Sequence, residues 1–167
     1  MLHLYVGTGV GKSTRSIGLA IRAAGNGLTV DFIQFMKSGN SGEINIFNQI
    51  SSIRYRCPGK HPFLLSGKPK DIHLEHARKA LEYSWEAVNP GTDILICDEI
   101  LDAILYQTLP AGEVLKLAQA CKGKIELVMT GRRAPEELVE MADYITEFVE
   151  LKHPYQKEIM ARRGIEY

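Results

Sequence analysis

The sequence predicts an α/β fold in three layers, with helices on both faces of a mainly parallel β-sheet. Three observations carry that expectation. Apolar runs of strand length alternate with amphipathic segments of helix length along the 167-residue chain, the pattern of βαβ units. One run, DILIC (93–97), is continuously apolar, as in strands buried on both faces of a parallel sheet. A glycine-rich turn, GTGVGKST (7–14), lies between the first apolar run and the first helical pattern. No linker, repeat or low-complexity stretch interrupts the chain, so residues 1–167 read as a single domain of ordinary size.

Each element has its own signal. Leu2–Val6 reads as a short buried strand ending at glycine. From Thr14 to Ala24, Ile17, Leu19, Ala20, Ile21, Ala23 and Ala24 recur at helical spacing, and Gly25-Asn26-Gly27 stops the helix. Leu28–Phe35 is a second strand, KSGNSGE (37–43) a polar loop and Ile53–Cys57 a shorter third strand. Pro58–Pro69, rich in Gly and Pro, is not regular structure. Asp71–Val88 is a long amphipathic helix closed by Asn89-Pro90-Gly91. Beyond DILIC, Ile100–Tyr106 and Gly112–Ala120 are helical and Ile125–Met129 is a buried strand. Pro135–Ala142 is a helix with Pro at its start, and Tyr144–Leu151 a last strand. The tail, KHPYQKEIMARRGIEY, has no clear period.

The glycine turn is a candidate phosphate cradle. Glycines at 7, 9 and 11 let backbone amides approach an anion, and the following helix points its positive end at it. Lys12 supplies a mobile charge, and the Ser13 hydroxyl is a candidate ligand for Mg²⁺. The strand–GK[ST]–helix context makes the chain P-loop NTPase-like, with Gly7, Thr8, Gly9, Val10, Gly11, Lys12, Ser13 and Thr14 as the nucleotide-binding candidates. The loop is short: the first glycine of the usual G-x-x-x-x-G-K-[ST] would fall at Val6, a strand residue. Asp98-Glu99 follows the DILIC strand, where such proteins hold their metal, so Ser13, Asp98 and Glu99 are the metal candidates. Thr130-Gly131-Arg132-Arg133 ends the next buried strand and opens on the same crevice, making Arg132 or Arg133 a candidate for the triphosphate or a second substrate.

Composition narrows the classes. Lys plus Arg equals Asp plus Glu, 20 each, which argues against nucleic acid as the main partner but not against a small anion. Three widely spaced cysteines, Cys57, Cys97 and Cys121, indicate a reduced, cytoplasmic protein without a disulfide frame. Gly7–Lys12 interrupts the apolar start, so no signal peptide is expected, and no run reaches the ~18 apolar residues of a membrane span. His73 and His76, three residues apart on the long helix, read as surface histidines because a metal site needs three or four ligands. Trp85, the only Trp, reads as core.

Several separated segments, in order, resemble the single-domain P-loop ATP:corrinoid (cob(I)alamin) adenosyltransferases. The loop is similar to that family's G-[ND]-G-K-G-K-T-T, with the same shortened spacing. QFMKSGNSGE (34–43), LICDEILDAI (95–104), VMTGRRAPEELVEMADYITE (128–147) and the tail resemble further family blocks. The resemblance implies transfer of the 5′-deoxyadenosyl group of ATP to the Co(I) of a reduced corrinoid, with triphosphate leaving. It implies ATP as co-substrate bound in reverse of ordinary P-loop enzymes, Mg²⁺ or Mn²⁺, and a homodimer. It casts Lys12 and Glu99 in catalytic roles, with Glu99 favoured over Asp98 for the metal, and needs no general base.

The chain departs from the family pattern at two places. Val10 stands where the family has its first loop lysine. CPGKHPFLLSGKPK (57–70) stands where the family carries G-x-G-F-T-W, whose aromatics crowd the lower corrin face; Phe63 is the counterpart of that Phe, and Leu65 lies near the place of the Trp. Two other readings stand beside this one. One is an ordinary P-loop ATPase or phosphotransferase. The other is a diverged nucleotide-binding regulatory module with little turnover.

Overall fold

The computed structural model describes residues 1–61, 68–154 and 158–165. Six strands form one sheet: β1 (Leu2–Val6), β2 (Val30–Gln34), β3 (Ile53–Arg56), β4 (Ile94–Asp98), β5 (Glu126–Thr130) and β6 (Tyr144–Glu147). Their order is β3-β2-β4-β5-β1-β6, and every adjacent pair is parallel. The helices are α1 (Lys12–Gly25), α2 (Glu43–Phe47), α3 (Asp71–Glu86), α4 (Ile100–Leu105), α5 (Ala111–Cys121) and α6 (Glu136–Met141). Parallel strands need crossovers, and these helices supply them on both faces, as the sequence predicts.

Side-chain alternation sorts the strand residues between two cores. Leu4, Leu95, Cys97, Leu127 and Met129 point to the face covered by α3–α6, where they meet Ala77, Leu81, Leu101, Leu117 and Leu138. Tyr5, Phe32, Ile96 and Val128 point to the opposite face, against Ala20 and Ala23 of α1 and Phe47 of α2. The last residues of three strands, Gln34, Asp98 and Thr130, continue the α1-side set. A slip of one residue in β4 would turn Asp98 away from α1, so the apolar pattern of the strand also aims its carboxylate.

The short helix α2 lies in a stretch where the sequence shows no helical period. Residues 58–61 and 68–70 carry no regular structure, as expected. Two expectations fail. Trp85 is 40% exposed, because its position on α3 lies off the stripe of Ala77, Ala80, Leu81 and Ser84 that meets the sheet. His73 and His76 are buried rather than superficial. The His73 ring accepts the backbone N–H of Lys70 through Nδ1 at 2.9 Å and so closes the first turn of α3. His76 Nε2 lies 3.0 Å from the Lys37 carbonyl and 3.2 Å from that of Gly59. Among the described residues all three cysteines are free, and no helix is long and apolar enough to cross a membrane.

Candidate active site

The glycine turn leaves β1 and enters α1 through two left-handed glycines, Gly7 (φ 113°) and Gly11 (φ 109°). Gly11 is the N-cap of α1 and brings no side chain to cap it, so the first-turn amides carry no side-chain acceptor. Two loop amides upstream are already spoken for. The Gly7 N–H donates to the Arg132 carbonyl (3.0 Å), and the Gly9 N–H to the Phe148 carbonyl (2.8 Å). Phe148 continues the β6 ladder by donating its own N–H to Val6 (2.8 Å). The turn is therefore gripped by Arg132 and by the chain just beyond β6, upstream of the first turn of α1. A Cβ on Gly7 would fall 2.3 Å from the Phe148 carbonyl oxygen, and one on Gly9 2.9 Å from the backbone of residues 148–149, so glycine is required at both for close approach. Val10, at the tip, is 71% exposed.

Lys12 Nζ folds back on the turn, donating to the carbonyls of Gly7 (2.8 Å) and Gly9 (2.7 Å). Burial lowers its pKa; the Arg132 charge adds to that, against Asp102, Glu99 and Asp98. Ser13 Oγ donates to the Asp98 carboxylate, 3.0 and 3.1 Å from its two oxygens. β1 and β4 are not neighbours; β5 runs between them. The last residue of β5 bridges the gap, since Thr130 Oγ1 donates to Asp98 Oδ1 (2.8 Å) and accepts the Glu99 N–H (2.8 Å). Thr130 thus fixes the rotamer of a fully buried carboxylate and the backbone of the next residue.

A residue that the site candidates omit, Lys37, completes the group. Its Nζ donates to Asp98 Oδ2 (2.7 Å) and to Ser13 Oγ (3.0 Å) and lies 3.8 Å from Glu99 Oε1. Burial alone would lower its pKa, but the carboxylates of Asp98 and Glu99 overcome this and hold it above the ordinary lysine value. The sequence signal was its place just beyond an apolar strand, at the start of KSGNSGE, within a block that resembles the family. Glu99 adopts left-handed φ (66°), uncommon for a residue with a side chain, and caps α4. Burial pushes its carboxyl up to about 7; Lys37 and Lys12 oppose the shift, and Asp98 and Asp102 add to it.

Beside this group lies a cavity of about 480 Å³ whose wall includes Lys37, His61, Glu99, Asp102, Tyr106 and Arg132. Of the two candidate arginines, Arg132 is the one in that wall. Its N–H donates to Asp102 Oδ1 (2.9 Å), and its guanidinium lies 6.0 Å from the Tyr106 ring centre. Burial raises the Asp102 carboxyl above its ordinary value, with the Arg132 N–H and charge opposing. His61, His73 and His76 gather at the entrance of the 58–70 segment, with ring centres 4.7 and 5.0 Å from that of His61. No group of three metal-ligating side chains is found among the described residues. Phe63 and Leu65 lie outside the described residues.

The structure therefore brings Gly7–Thr14, Asp98, Glu99 and Arg132 to one end of the sheet, and for direct contact with Ser13 it favours Asp98 over Glu99. The donor set facing that contact is hard oxygen, from a hydroxyl and a buried carboxylate, and it already holds a cation in Lys37. These residues fit a small divalent ion. A strand-turn-helix cradle for anions beside such oxygens is the architecture of P-loop nucleotide-handling proteins.

The comparison with known families narrows the class. Residues 1–167 match the family described as ATP:corrinoid adenosyltransferase BtuR/CobO/CobP, and the chain belongs to that family of transferases. It is similar to a protein named corrinoid adenosyltransferase from Pseudomonas aeruginosa, 28% identical over all of this chain and 83% of that one. A Sinorhizobium protein of the same name is 29% identical, covering all of this chain and 80% of the relative. Corrinoid adenosyltransferase CobA of Salmonella typhimurium is 26% identical, covering all of this chain and 85% of the relative.

Proposed function

We propose that this protein transfers the 5′-deoxyadenosyl group of ATP to the Co(I) of a reduced corrinoid. A Co–C5′ bond forms as the C5′–O bond breaks. The cobalt supplies the electron pair, and the triphosphate leaves with the pair of the broken bond. Supporting this reading is the meeting of Lys12, Ser13 and Asp98 at a shortened phosphate loop, in a chain matched end to end by that family.

The nucleophile belongs to the substrate, so the protein's work is orientation and stabilisation of the departing charge. The backbone of Gly7, Thr8, Gly9, Val10 and Gly11 shapes the cradle, and the first-turn amides of α1, through Thr14, take the phosphate oxygens. Lys12 turns from its loop carbonyls to the triphosphate. Arg132 lies on the wall where a phosphate or the second substrate would rest. Ser13, Asp98 and Glu99 would hold Mg²⁺ or Mn²⁺, which neutralises triphosphate charge when bound. Thr130 keeps Asp98 aimed at Ser13. Phe63 is proposed to meet the corrin ring, and the working assembly to be a homodimer.

The test is a product analysis with ATP, Mg²⁺ and chemically reduced corrinoid. Triphosphate and a light-sensitive Co–C bond are expected, each requiring the corrinoid. Release of ADP and phosphate without corrinoid would replace this reading with an ordinary P-loop ATPase or phosphotransferase. Binding of ATP with neither product would replace it with a regulatory module. In the same assay Lys12→Ala should lose on the order of 10²–10³ in rate, the scale for removing one charge-stabilising contact. Its melting temperature should stay near that of wild type, because Lys12 contacts the loop's own carbonyls and not the core.

A further inference from the structure

Asp98 is saturated by partners from within the chain. Oδ1 accepts from Thr130 (2.8 Å) and lies 3.0 Å from Ser13 Oγ, while Oδ2 accepts from the Lys37 ammonium (2.7 Å). Ser13 Oγ donates to that carboxylate and accepts from the same ammonium (3.0 Å). The oxygens that fit a divalent ion are the ones Lys37 covers. An ammonium and a divalent ion a few ångströms apart repel strongly in a partly buried site, so the two cannot share them.

Lys37 is also built to let go. Its backbone is anchored, because its carbonyl lies 3.0 Å from His76 Nε2 and accepts from Cys57 Sγ (3.2 Å). Its side chain is not enclosed. It is 22% exposed and borders the 480 Å³ cavity that Glu99, Asp102 and Arg132 also line. A four-carbon stem can swing the ammonium into that space without moving the chain.

We propose that Lys37 is an exchangeable internal cation of the site. It occupies the Ser13–Asp98 oxygens in competition with a divalent ion and moves to the polyphosphate when metal and nucleotide enter together. This rests on the nucleotide placement proposed above. It makes Lys37 a binding residue for the polyphosphate, with two consequences: free metal is held weakly, and nucleotide is the vehicle that carries metal in.

The experiment uses Mn²⁺ as probe, followed by the electron paramagnetic resonance signal of the free ion, with the full chain and no nucleotide. Lys37→Met keeps the stem and removes the charge. It should bind Mn²⁺ at least about tenfold more tightly than wild type. With ATP present the order should reverse, wild type holding Mn²⁺·ATP more tightly than the variant. Circular dichroism reports whether the variant is folded; if it is not, Lys37→Gln carries the same test. A smaller gain, no gain or a loss of Mn²⁺ affinity without nucleotide overturns the proposal. So does an unchanged affinity for Mn²⁺·ATP. The measurement needs no corrinoid, so its failure leaves the alkyl-transfer reading standing. A Mn²⁺ gain with no corrinoid-dependent triphosphate would sink that reading alone.

Discussion

The two ends of the strands handle charge differently. Where the strands begin, charges tie off nearby backbone or are closed off by partners within the chain; buried Asp31 of β2 is held by Arg54, Arg56 and Thr92. Glu126 takes the amino group of Met1 (3.1 Å) and His3 Nε2, Asp143 accepts the Leu2 N–H (2.7 Å), and Asp93 accepts the Thr29 N–H (2.8 Å). Where the strands end, Asp98 is fully buried and faces Lys37, Ser13 and Thr130, with Glu99 beside it. The backbone differs too. Met36 and Glu99 put side chains into left-handed φ just after β2 and β4, whereas left-handed glycines occur at both ends, Gly27 and Gly123 ahead of β2 and β5 and Gly7 and Gly11 after β1. Strain and buried charge persist only where surrounding contacts enforce them. The difference separates an end built to close the sheet from an end built to hold a ligand, and ligands in open parallel sheets bind at the strands' carboxyl ends.

The sharpest way to break that contrast is to disturb the strained end. Gly7→Ala forces a side chain into left-handed backbone and into the Phe148 carbonyl. Adding roughly 1–3 kcal/mol of backbone strain to a similar overpacking term gives a loss of about 2–6 kcal/mol. Thermal unfolding should show a drop of several degrees, and transferase activity should vanish with it. An unshifted melting curve would mean that the Phe148 grip on the loop is weak.

The other end should yield far less. Glu126→Gln removes a carboxylate that is about a third exposed, so the expected loss is about 0.5 kcal/mol at neutral pH, the scale of a surface pair. Burial tends to raise the Glu126 pKa, but the hydrogen bonds and charges of His3 and the amino terminus lower it on balance. A depressed folded-state pKa stabilises above the unfolded value of 4.5, and that contribution is lost as the pH falls through the folded value. Denaturant titrations of wild type and variant should therefore converge in acid. Catalysis should not change.

A change of opposite sign calibrates both. Gly18 lies on the exposed side of α1, and a Cβ there would meet nothing within 4 Å. Gly18→Ala should stabilise by about 0.5–1 kcal/mol through helix propensity alone. Differential scanning calorimetry should register a rise of about 2–4 °C per kcal/mol for a chain of this size.

Fold and loop were legible because they are local. Continuous apolar strands, helical spacing and glycine stops place every strand to within a few residues, and the helices except α2. EINIF is too short for a period to emerge and lies among polar neighbours. The two acids at the end of β4 were legible too, since they directly follow DILIC. What the residues did not reveal depends on strand order. Thr130 touches Asp98 only because β5 is inserted between β4 and β1. Lys37 reaches the same carboxylate because β2 flanks β4 on its other side, with Gln34 paired to Asp98. His73 and His76 looked superficial because three-residue spacing says which helix face they share, not what that face meets. Trp85 reads as core on hydrophobicity alone, but its phase on α3 carries it off the buried stripe.

The hold of Phe148 on the glycine turn has an effect on the order in which the molecule matures. β1 is translated well before its two neighbours, β5 and β6. The glycine turn has no carbonyl to receive the Gly9 N–H until Phe148 has been synthesised and laid alongside Val6. The turn therefore takes its final shape only after about 140 further residues have been made, as a contact between segments far apart in sequence.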